Sequence, residues 1–193
     1  MKIIVAAVPG AGKSTTLKFV KKRLHDVKVV NVGDLILEVA KRKFKIKDRD
    51  ELRKKLTINQ ERSVQELVYR KIAKMKGKVL IDTHISIKTP AGFFPSLPDK
   101  LVGMLKPDAI ILLEFNPRDI IKRRVEDKSR KRDVESVKEI EDHQKFNRIF
   151  ASAAAAVASC PLEVINLMFK EKKKFEHAYK AAEEIIKIIR RLE

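Results

Sequence analysis

The chain has 193 residues, 44% of them hydrophobic, and its 44 Lys and Arg against 26 Asp and Glu give a formal net charge of +18. This composition predicts one globular domain with a substantial core and excludes an intrinsically disordered chain. No apolar run reaches the roughly 18 residues that a membrane span needs, so we expect no membrane partner and no signal peptide. The lone Cys160 cannot form an internal disulfide, which favours a cytoplasmic location.

The excess positive charge attracts partners that carry phosphate, so nucleotides and nucleic acid are both candidates. A solvated, lysine-rich surface of the kind found in thermophilic proteins accounts for most of the lysines equally well. Trp is absent and Tyr occurs twice, so the sequence lacks the aromatic stacking surface of many RNA-binding proteins. We therefore expect small nucleotides, and not nucleic acid, to be the main partners.

Predicted strands and helices alternate along the chain, which indicates a parallel sheet with crossover helices. Most of the candidate strands are continuous apolar runs, as expected for strands that are buried on both faces. They are Lys2–Ala7, Val27–Val32, Lys78–Asp82, Ala109–Phe115 and Leu162–Leu167.

Helical stretches lie between these strands, and the sequence gives several of them recognisable ends. Asp34 is a candidate N-cap for the second helix, and Asn116 followed by Pro117 is a favourable helix start. The alanine-rich stretch 151–159 predicts a tightly packed core helix, with an oligomer contact as the less favoured alternative. The predicted helices run from the loop after the first strand to about His25, from near Asp34, from Arg49 to Lys76 with a candidate break at Thr57–Asn59, from Pro117 to Asp127, from Asp133 to Ala158, and from Phe175 to the end.

The stretch VPGAGKSTT, residues 8–16, has the second half of a phosphate-binding P-loop between a strand and a helix. Such a loop wraps backbone N–H groups around an anion, with a lysine on the β- and γ-phosphates and a hydroxyl on Mg²⁺. Ala7 stands where the pattern has its first glycine, and alanine resists positive φ, so we expect the loop entry to differ slightly. The residues assigned to this loop are Ala7, Val8, Pro9, Gly10, Ala11, Gly12, Lys13, Ser14 and Thr15.

Other segments narrow the class of phosphate chemistry. A guanine-selecting Asn-Lys-x-Asp stretch is absent after the fourth strand, which weighs against a GTPase. Asp82 ends a strand beside the loop, where a carboxylate commonly orients water on Mg²⁺; a helix or turn cap is the alternative. Arg123, Arg124, Arg130 and Arg132 crowd into one segment, an arrangement suited to clamping transferring phosphates.

Taken together, these segments resemble the archaeal adenylate kinases over nearly the whole chain. The resemblance rests on VPGAGKST, VNVGDL, RDELRK, IDTHISIKTPAGFFPSLP, RKRDVES and EDHQKFNR, and it departs at Ala6-Ala7, where the family usually has Thr-Gly. It implies Mg²⁺-dependent phosphoryl transfer from ATP to AMP, giving two ADP in adenine nucleotide homeostasis. It also implies a P-loop NTPase fold, a three-layer α/β/α sandwich with a five-stranded parallel sheet in the order 2-3-1-4-5, and a homotrimer.

Within the single domain 1–193, the resemblance implies an AMP-binding helical insertion at about residues 33–76. Arg53 is expected to bind the AMP phosphate, and Gly33 and Asp34 to lie beside the AMP site. The acceptor pocket is expected to be lined by His84, Lys88 and Thr89. For His84 a structural hydrogen bond is an equal alternative, whereas Lys88 is assigned a catalytic role near the γ-phosphate.

The resemblance also implies a short, metal-free lid at about residues 122–133, where bacterial relatives have a longer one. Lys13 is expected to neutralise the transferring phosphate, with Ser14 and Asp82 holding Mg²⁺. Arg124 is expected to stack over the donor adenine and Arg132 to bridge the phosphates, with Asp133 fixing its position. Arg123 and Arg130 are assigned to lid contact or surface with equal weight, and Arg148 to phosphate contact or a helix cap.

Two other functions remain open from the sequence alone. The first is a kinase for a different acceptor, such as CMP or a small metabolite. The second is an RNA-associated P-loop protein, supported by the net charge of +18 and opposed by the scattered distribution of the basic residues.

Overall fold

The fold is taken from a computed structural model that describes residues 1–48, 51–52, 55–89, 92–126 and 135–193. The strands are β1 (Lys2–Ala6), β2 (Val27–Asn31), β3 (Lys78–Thr83), β4 (Ser86–Thr89), β5 (Gly92–Pro95), β6 (Ala109–Phe115) and β7 (Leu162–Leu167). The helices of the described residues are α1 (Lys13–Arg23), α2 (Val32–Phe44), α3 (Ile58–Ala73), α4 (Asp99–Leu105), α5 (Pro117–Glu126), α6 (Val137–Ala158) and α7 (Glu176–Arg191).

Five parallel strands form the main sheet in the order β2-β3-β1-β6-β7. Counted along the chain without the β4–β5 hairpin, this is the predicted order 2-3-1-4-5, and the α/β fold class is confirmed. β1 lies at the centre, between β3 and β6, and the loop that follows it is the predicted P-loop. The chain therefore places this loop where the strand order reverses, which is the usual ligand-binding crevice of an open parallel sheet.

The apolar strand runs are explained by burial on both faces of the sheet. Along β1, Ile3 and Val5 face a core that is completed by α1 and α7, whereas Ile4 and Ala6 face a second core that is completed by α3, α4 and α6. All seven residues of β6 are buried. The two cores make the domain a three-layer α/β/α sandwich.

Side-chain capping fixes several helix starts. Thr57 begins α3 with a capping box to Gln60, and Ser136 begins α6 with a capping box to Glu139. The break that the sequence indicates at Thr57–Asn59 is therefore a true helix start. The predicted cap of α5 is also present, because Asn116 Oδ1 accepts the N–H of Arg118 at 2.9 Å.

One predicted cap is wrong. Asp34 lies inside α2, and the N-cap is Asn31, whose side-chain oxygen accepts the N–H of Asp34 at 2.9 Å. Asn is as good a cap as Asp. The apolar Val32 that follows Asn31 packs into the second core as the first residue of α2, so the helix begins two residues earlier than Asp34. Similarly, Ser136 and not Asp133 precedes the described part of α6.

Two elements were not predicted, the antiparallel β4–β5 hairpin and α4. The hairpin is short, and its apolar residues do not alternate cleanly with polar ones. For α4 a signal exists, since Pro98 and Asp99 begin the helix and Leu101 and Leu105 are buried one turn apart. None of the described helices is long and apolar enough to cross a lipid bilayer.

Candidate active site

A continuous cleft of about 940 Å³ runs along the carboxyl edge of the sheet on both sides of β1. The loop Val8–Thr16 forms its middle. On the β2–β3 side the walls include Asn31, Gly33, Ile36, Gln65, Tyr69, Asp82 and His84. On the β6–β7 side they include Phe115, Asp119, Lys122, Arg123, the segment 170–175 and His177. One cleft thus joins two pockets across the loop.

The loop has the backbone of an anion cradle. Gly10 and Gly12 have φ of 84° and 99°, in the left-handed region that favours glycine. Gly12 also precedes the first turn of α1, so the helix N-terminus points into the cleft. Ala7 does not have a positive φ and is 1% exposed, which explains why alanine is accepted at the position where the pattern has glycine.

Three alternate carbonyls of the loop are bound by side chains from outside it. His84 Nδ1 lies 3.2 Å from the carbonyl of Ala7, Arg124 Nε donates to that of Pro9 at 2.9 Å, and Arg123 Nη1 donates to that of Ala11 at 2.9 Å. We call this arrangement the carbonyl clamp. In a trans peptide the N–H group points opposite to the carbonyl, so the N–H groups of these same three peptide units can face an anion.

Lys13 is the central cation of the cleft, and it is 8% exposed. Its ammonium group forms an ion pair with Asp82 and donates to the carbonyl of Thr83 at 2.8 Å. Burial lowers the pKa of Lys13 from its usual value to about 7. The ion pair with Asp82 and the hydrogen bond to the carbonyl of Thr83 together hold the lysine in place.

The residues at the loop's edge fit a hard divalent cation. Ser14 and Asp82 line the same recess of about 200 Å³ beside the loop, with Asn31 and Asp34. Hydroxyl and carboxylate oxygens are the ligands that Mg²⁺ prefers, and this ion usually takes few protein ligands beside water and phosphate. Among the described residues, no cluster of three or more His, Cys, Asp or Glu forms a metal centre of another kind.

The two consecutive arginines of α5 occupy different places. Arg123 lies in the wall of the cleft, 5.0 Å above the ring of Phe115, and its Nη2 donates to Nδ1 of His177 at 2.7 Å. His177 Nε2 lies 2.6 Å from the carbonyl of Phe169, and its Nδ1 lies 3.1 Å from Glu171 Oε1. Arg123 is thus held at the cleft by a buried histidine.

Arg124 lies behind the loop. Its side chain is 8% exposed, forms an ion pair with Glu135 and crosses Gly10 so closely that a Cβ there would lie 2.7 Å from Arg124 Cγ. Arg124 does not line the cleft as described, and of the two arginines Arg123 is the one that faces it. The stacking role assigned to Arg124 stays a prediction.

Most of the remaining assigned residues that the structure describes line the cleft, namely residues 8–15, Gly33, Asp82 and His84. Lys88, Thr89 and Arg148 are described but lie outside the cleft lining. Lys88 donates to Glu139 at 2.7 Å, and Thr89 donates to the carbonyl of Gly92 across the hairpin at 2.8 Å. Arg148 forms a two-pronged ion pair with the buried carboxylate of Glu114. Arg53, Arg130, Arg132 and Asp133 lie outside the described residues.

Sequence reasoning missed several residues of the cleft. Asn31 stands directly before Val32 at a strand end, a position whose polar side chain signals a site. Gln65 and Tyr69 of α3 lie one turn apart and face the acceptor side, and burial raises the pKa of Tyr69 to about 12. The basic segment 170–175 follows β7 and carries four lysines, which was a detectable signal for a phosphate-facing loop.

Comparison with known proteins gives close relatives over the full chain. The chain is 50% identical to the adenylate kinase of Pyrobaculum aerophilum over 192 residues, covering 99% of this chain and 98% of that one. It is 42% identical to the adenylate kinase of Methanopyrus kandleri, covering 84% and 87% of the two chains. With the adenylate kinase of Thermoplasma acidophilum the identity is 36%, covering 98% of each chain.

A family profile described as an AAA domain matches residues 6–141. Among solved structures, the shikimate kinase of Bacteroides thetaiotaomicron is similar with a TM-score of 0.61 and 15% identity, over 98% of both chains. That of Aquifex aeolicus has a TM-score of 0.59 and 14% identity, over 98% of this chain and 96% of the other. These two likenesses concern the fold, whereas the full-length sequence relatives carry the assignment: this chain belongs to the archaeal adenylate kinase family.

Proposed function

We propose that the chain catalyses the reversible, Mg²⁺-dependent transfer of a phosphoryl group from ATP to AMP, giving two ADP and balancing the adenine nucleotides. The observation that carries this proposal is the single cleft that extends to both sides of the P-loop. One nucleotide occupies the side of Arg123 and segment 170–175, and the other occupies the side of Gly33, Gln65 and Tyr69. Their phosphates then meet at Lys13.

The proposed mechanism uses positioning and charge, since phosphoryl transfer needs little covalent chemistry from the protein. The loop N–H groups hold the donor phosphates, and Lys13 leaves Asp82 for the phosphate anions that offer it a stronger partner. Ser14 and Asp82 would hold Mg²⁺, which would supply positive charge to stabilise the transferring phosphate. Lys88, Arg124 and Arg132 keep their assigned catalytic roles as proposals.

The remaining assignments form part of the same proposal. Residues 33–76 are the AMP-binding insertion, with Gly33, Asp34 and Arg53 on the acceptor side. Residues 122–133 are the short lid that shields the phosphates from water. His84 and Thr89 line the acceptor pocket and Arg148 contacts the phosphates when the cleft closes on the nucleotides. The alternative is that they keep only the structural contacts described above. The cytoplasm is the proposed location, supported by the single Cys160.

A direct assay tests the reaction. Purified protein supplied with Mg²⁺ and ADP alone is expected to produce ATP and AMP in equal amounts, and chelation of Mg²⁺ is expected to stop it. With ATP as donor, AMP is expected to be a far better acceptor than CMP. Absence of ATP and AMP from the ADP incubation contradicts the proposal, and equal rates with CMP contradict its acceptor.

The proposed assembly is a homotrimer. It is supported by the family resemblance and by exposed apolar side chains on the outer face of α6, where Phe146, Ile149 and Val157 are 38%, 59% and 45% exposed. The inner face of the same helix packs into the second core through Ala151, Ala154 and Ala155. The core packing predicted for the alanine-rich stretch 151–159 is therefore present, and the oligomer contact stays a proposal.

Ile149→Lys is expected to convert the trimer into monomers of 22.2 kDa, because a charge in an apolar interface is costly to desolvate. Static light scattering gives the mass. Val125→Lys is the matched control, since Val125 is 77% exposed on α5. A wild-type protein that is already monomeric, or a trimer unchanged by Ile149→Lys, contradicts this assembly.

A further inference from the structure

Asn31 lies in the wall of the cleft on the β2–β3 side. It ends β2 directly opposite Asp82 of β3 in the parallel register, so both side chains project from the same face of the sheet. Its Nδ2 donates to Asp82 Oδ2 at 2.8 Å, and its Oδ1 accepts the N–H of Asp34 at 2.9 Å. One amide therefore contacts the start of α2 and the carboxylate that holds Lys13.

These contacts form a continuous polar chain across the cleft. From the acceptor side it runs through the first turn of α2, the amide of Asn31 and the carboxylate of Asp82 to the ammonium group of Lys13. Each member is attached to a separate element, respectively α2, β2, β3 and the P-loop. The acceptor side and the ammonium group of Lys13 are therefore joined by an unbroken series of direct contacts.

We propose that Asn31 is a positioning residue that couples the acceptor pocket to the donor pocket by fixing the carboxylate of Asp82. This inference rests on the proposed function, because that function places one nucleotide in each of the two pockets. Asn31 occupies Oδ2 of Asp82, which leaves Oδ1 toward Lys13. Without the amide, the buried carboxylate loses one of its two observed side-chain partners, and its orientation is no longer fixed.

A helix cap alone would also explain why Asn stands at this position, so the experiment must separate capping from coupling. Asn31→Ser keeps a capping oxygen but removes the amide donor, and Asn31→Asp keeps the cap while placing a second carboxylate beside Asp82. Asn31→Ala removes both functions. Asn166→Ser at an exposed position of β7 is the matched control for the change of side chain, because the side chain of Asn166 also accepts a backbone N–H, that of Met168 at 3.0 Å.

Calorimetric binding provides the readout. The probes are AMP and the magnesium complex of an ATP analogue with a non-hydrolysable β–γ bridge, each titrated alone and in the presence of the other. We expect Asn31→Ser to weaken binding of the analogue about tenfold, since hydrogen bonds to charged groups contribute roughly 1.5–3 kcal/mol. Asn31→Asp is expected to weaken it further, and both variants are expected to lose most of the mutual effect between the two probes.

Thermal unfolding supplies the second measurement. Asn31→Ser keeps the cap and should unfold closer to the wild-type midpoint than Asn31→Ala, whose midpoint should be roughly 2–4 °C lower still because it also lacks the cap. Asn31→Asp keeps the cap as well, but its midpoint should fall because a second carboxylate then lies beside buried Asp82. Wild-type binding and mutual effect in Asn31→Ser overturn the inference, as does a wild type in which the two probes do not influence each other.

The inference and the proposed reaction fail in distinguishable ways. A wild type that binds both probes with mutual influence but makes no ATP and AMP from ADP contradicts the reaction alone. A wild type that makes both products while Asn31→Ser retains full coupling contradicts the role of Asn31 alone.

Discussion

Lys13→Met is expected to lower kcat for ADP disproportionation by about 10²–10³-fold, the loss usually seen when a donor to developing charge is removed from a closed site. The ammonium group is 8% exposed and lies where the two pockets meet, so water cannot replace it effectively. Methionine keeps the length and most of the volume of lysine while removing its charge. The measurement is the initial rate of ATP formation from ADP and Mg²⁺.

Lys22→Met is the control, because Lys22 lies exposed on the same helix. It should retain wild-type turnover. Circular dichroism confirms that Lys13→Met is folded before its rate is interpreted. A Lys13→Met enzyme with turnover within about threefold of wild type contradicts the central role of this lysine in the proposed reaction.

Asp82→Asn is expected to destabilise the fold at neutral pH by about 3 kcal/mol, because removal of one member of a buried ion pair leaves the other charge unpaired. It should also raise the Mg²⁺ concentration needed for activity, since an amide is a weaker ligand than a carboxylate. Denaturant unfolding gives the free energy, and the rate as a function of Mg²⁺ gives the second effect.

The deficit of Asp82→Asn should be larger at pH 5 than at pH 7. Burial lowers the pKa of Lys13 to about 7, below its usual value of 10.5, so in that interval the unfolded chain binds a proton that the folded wild type releases, and stability rises with pH. Loss of the negative charge of Asp82 lowers the pKa of Lys13 further, so the stability of the variant already rises with pH below 7, where that of the wild type does not. Unfolding at pH 5 and pH 7 checks this, and a deficit that is equal at both or grows with pH contradicts the assignment of Asp82 as the partner of Lys13.

The fold was predictable where local sequence patterns are strong. The strands of the main sheet are mostly apolar runs, and Gly12-Lys13 marks the P-loop between a strand and a helix. The order of the strands was predicted from the family resemblance and not from these patterns. The β4–β5 hairpin and α4 were missed, because short elements leave little periodicity to detect. The predicted second strand, Val27–Val32, includes Asn31, so the sequence offered Asp34 as the first polar residue after the strand. In the structure Asn31 is itself the N-cap of α2.

The site was predictable in its loop and less so in its walls. Lys13, Ser14, Asp82 and Gly33 lie together as expected. The partners of Lys88, Arg124 and Arg148 are Glu139, Glu135 and Glu114, and no local signal relates these pairs. Which of two neighbouring arginines faces the cleft depends on the rotation of α5 against the loop, a tertiary property.

The carbonyl clamp has a consequence for how nucleotides bind. Because the peptide groups after Ala7, Pro9 and Ala11 are tied to three side chains, none of them can rotate independently of the surrounding fold. The conformational entropy of the cradle is therefore lost during folding and not at each encounter with a nucleotide. Two of the three ties come from α5, so a tilt of that helix would move the cradle with it.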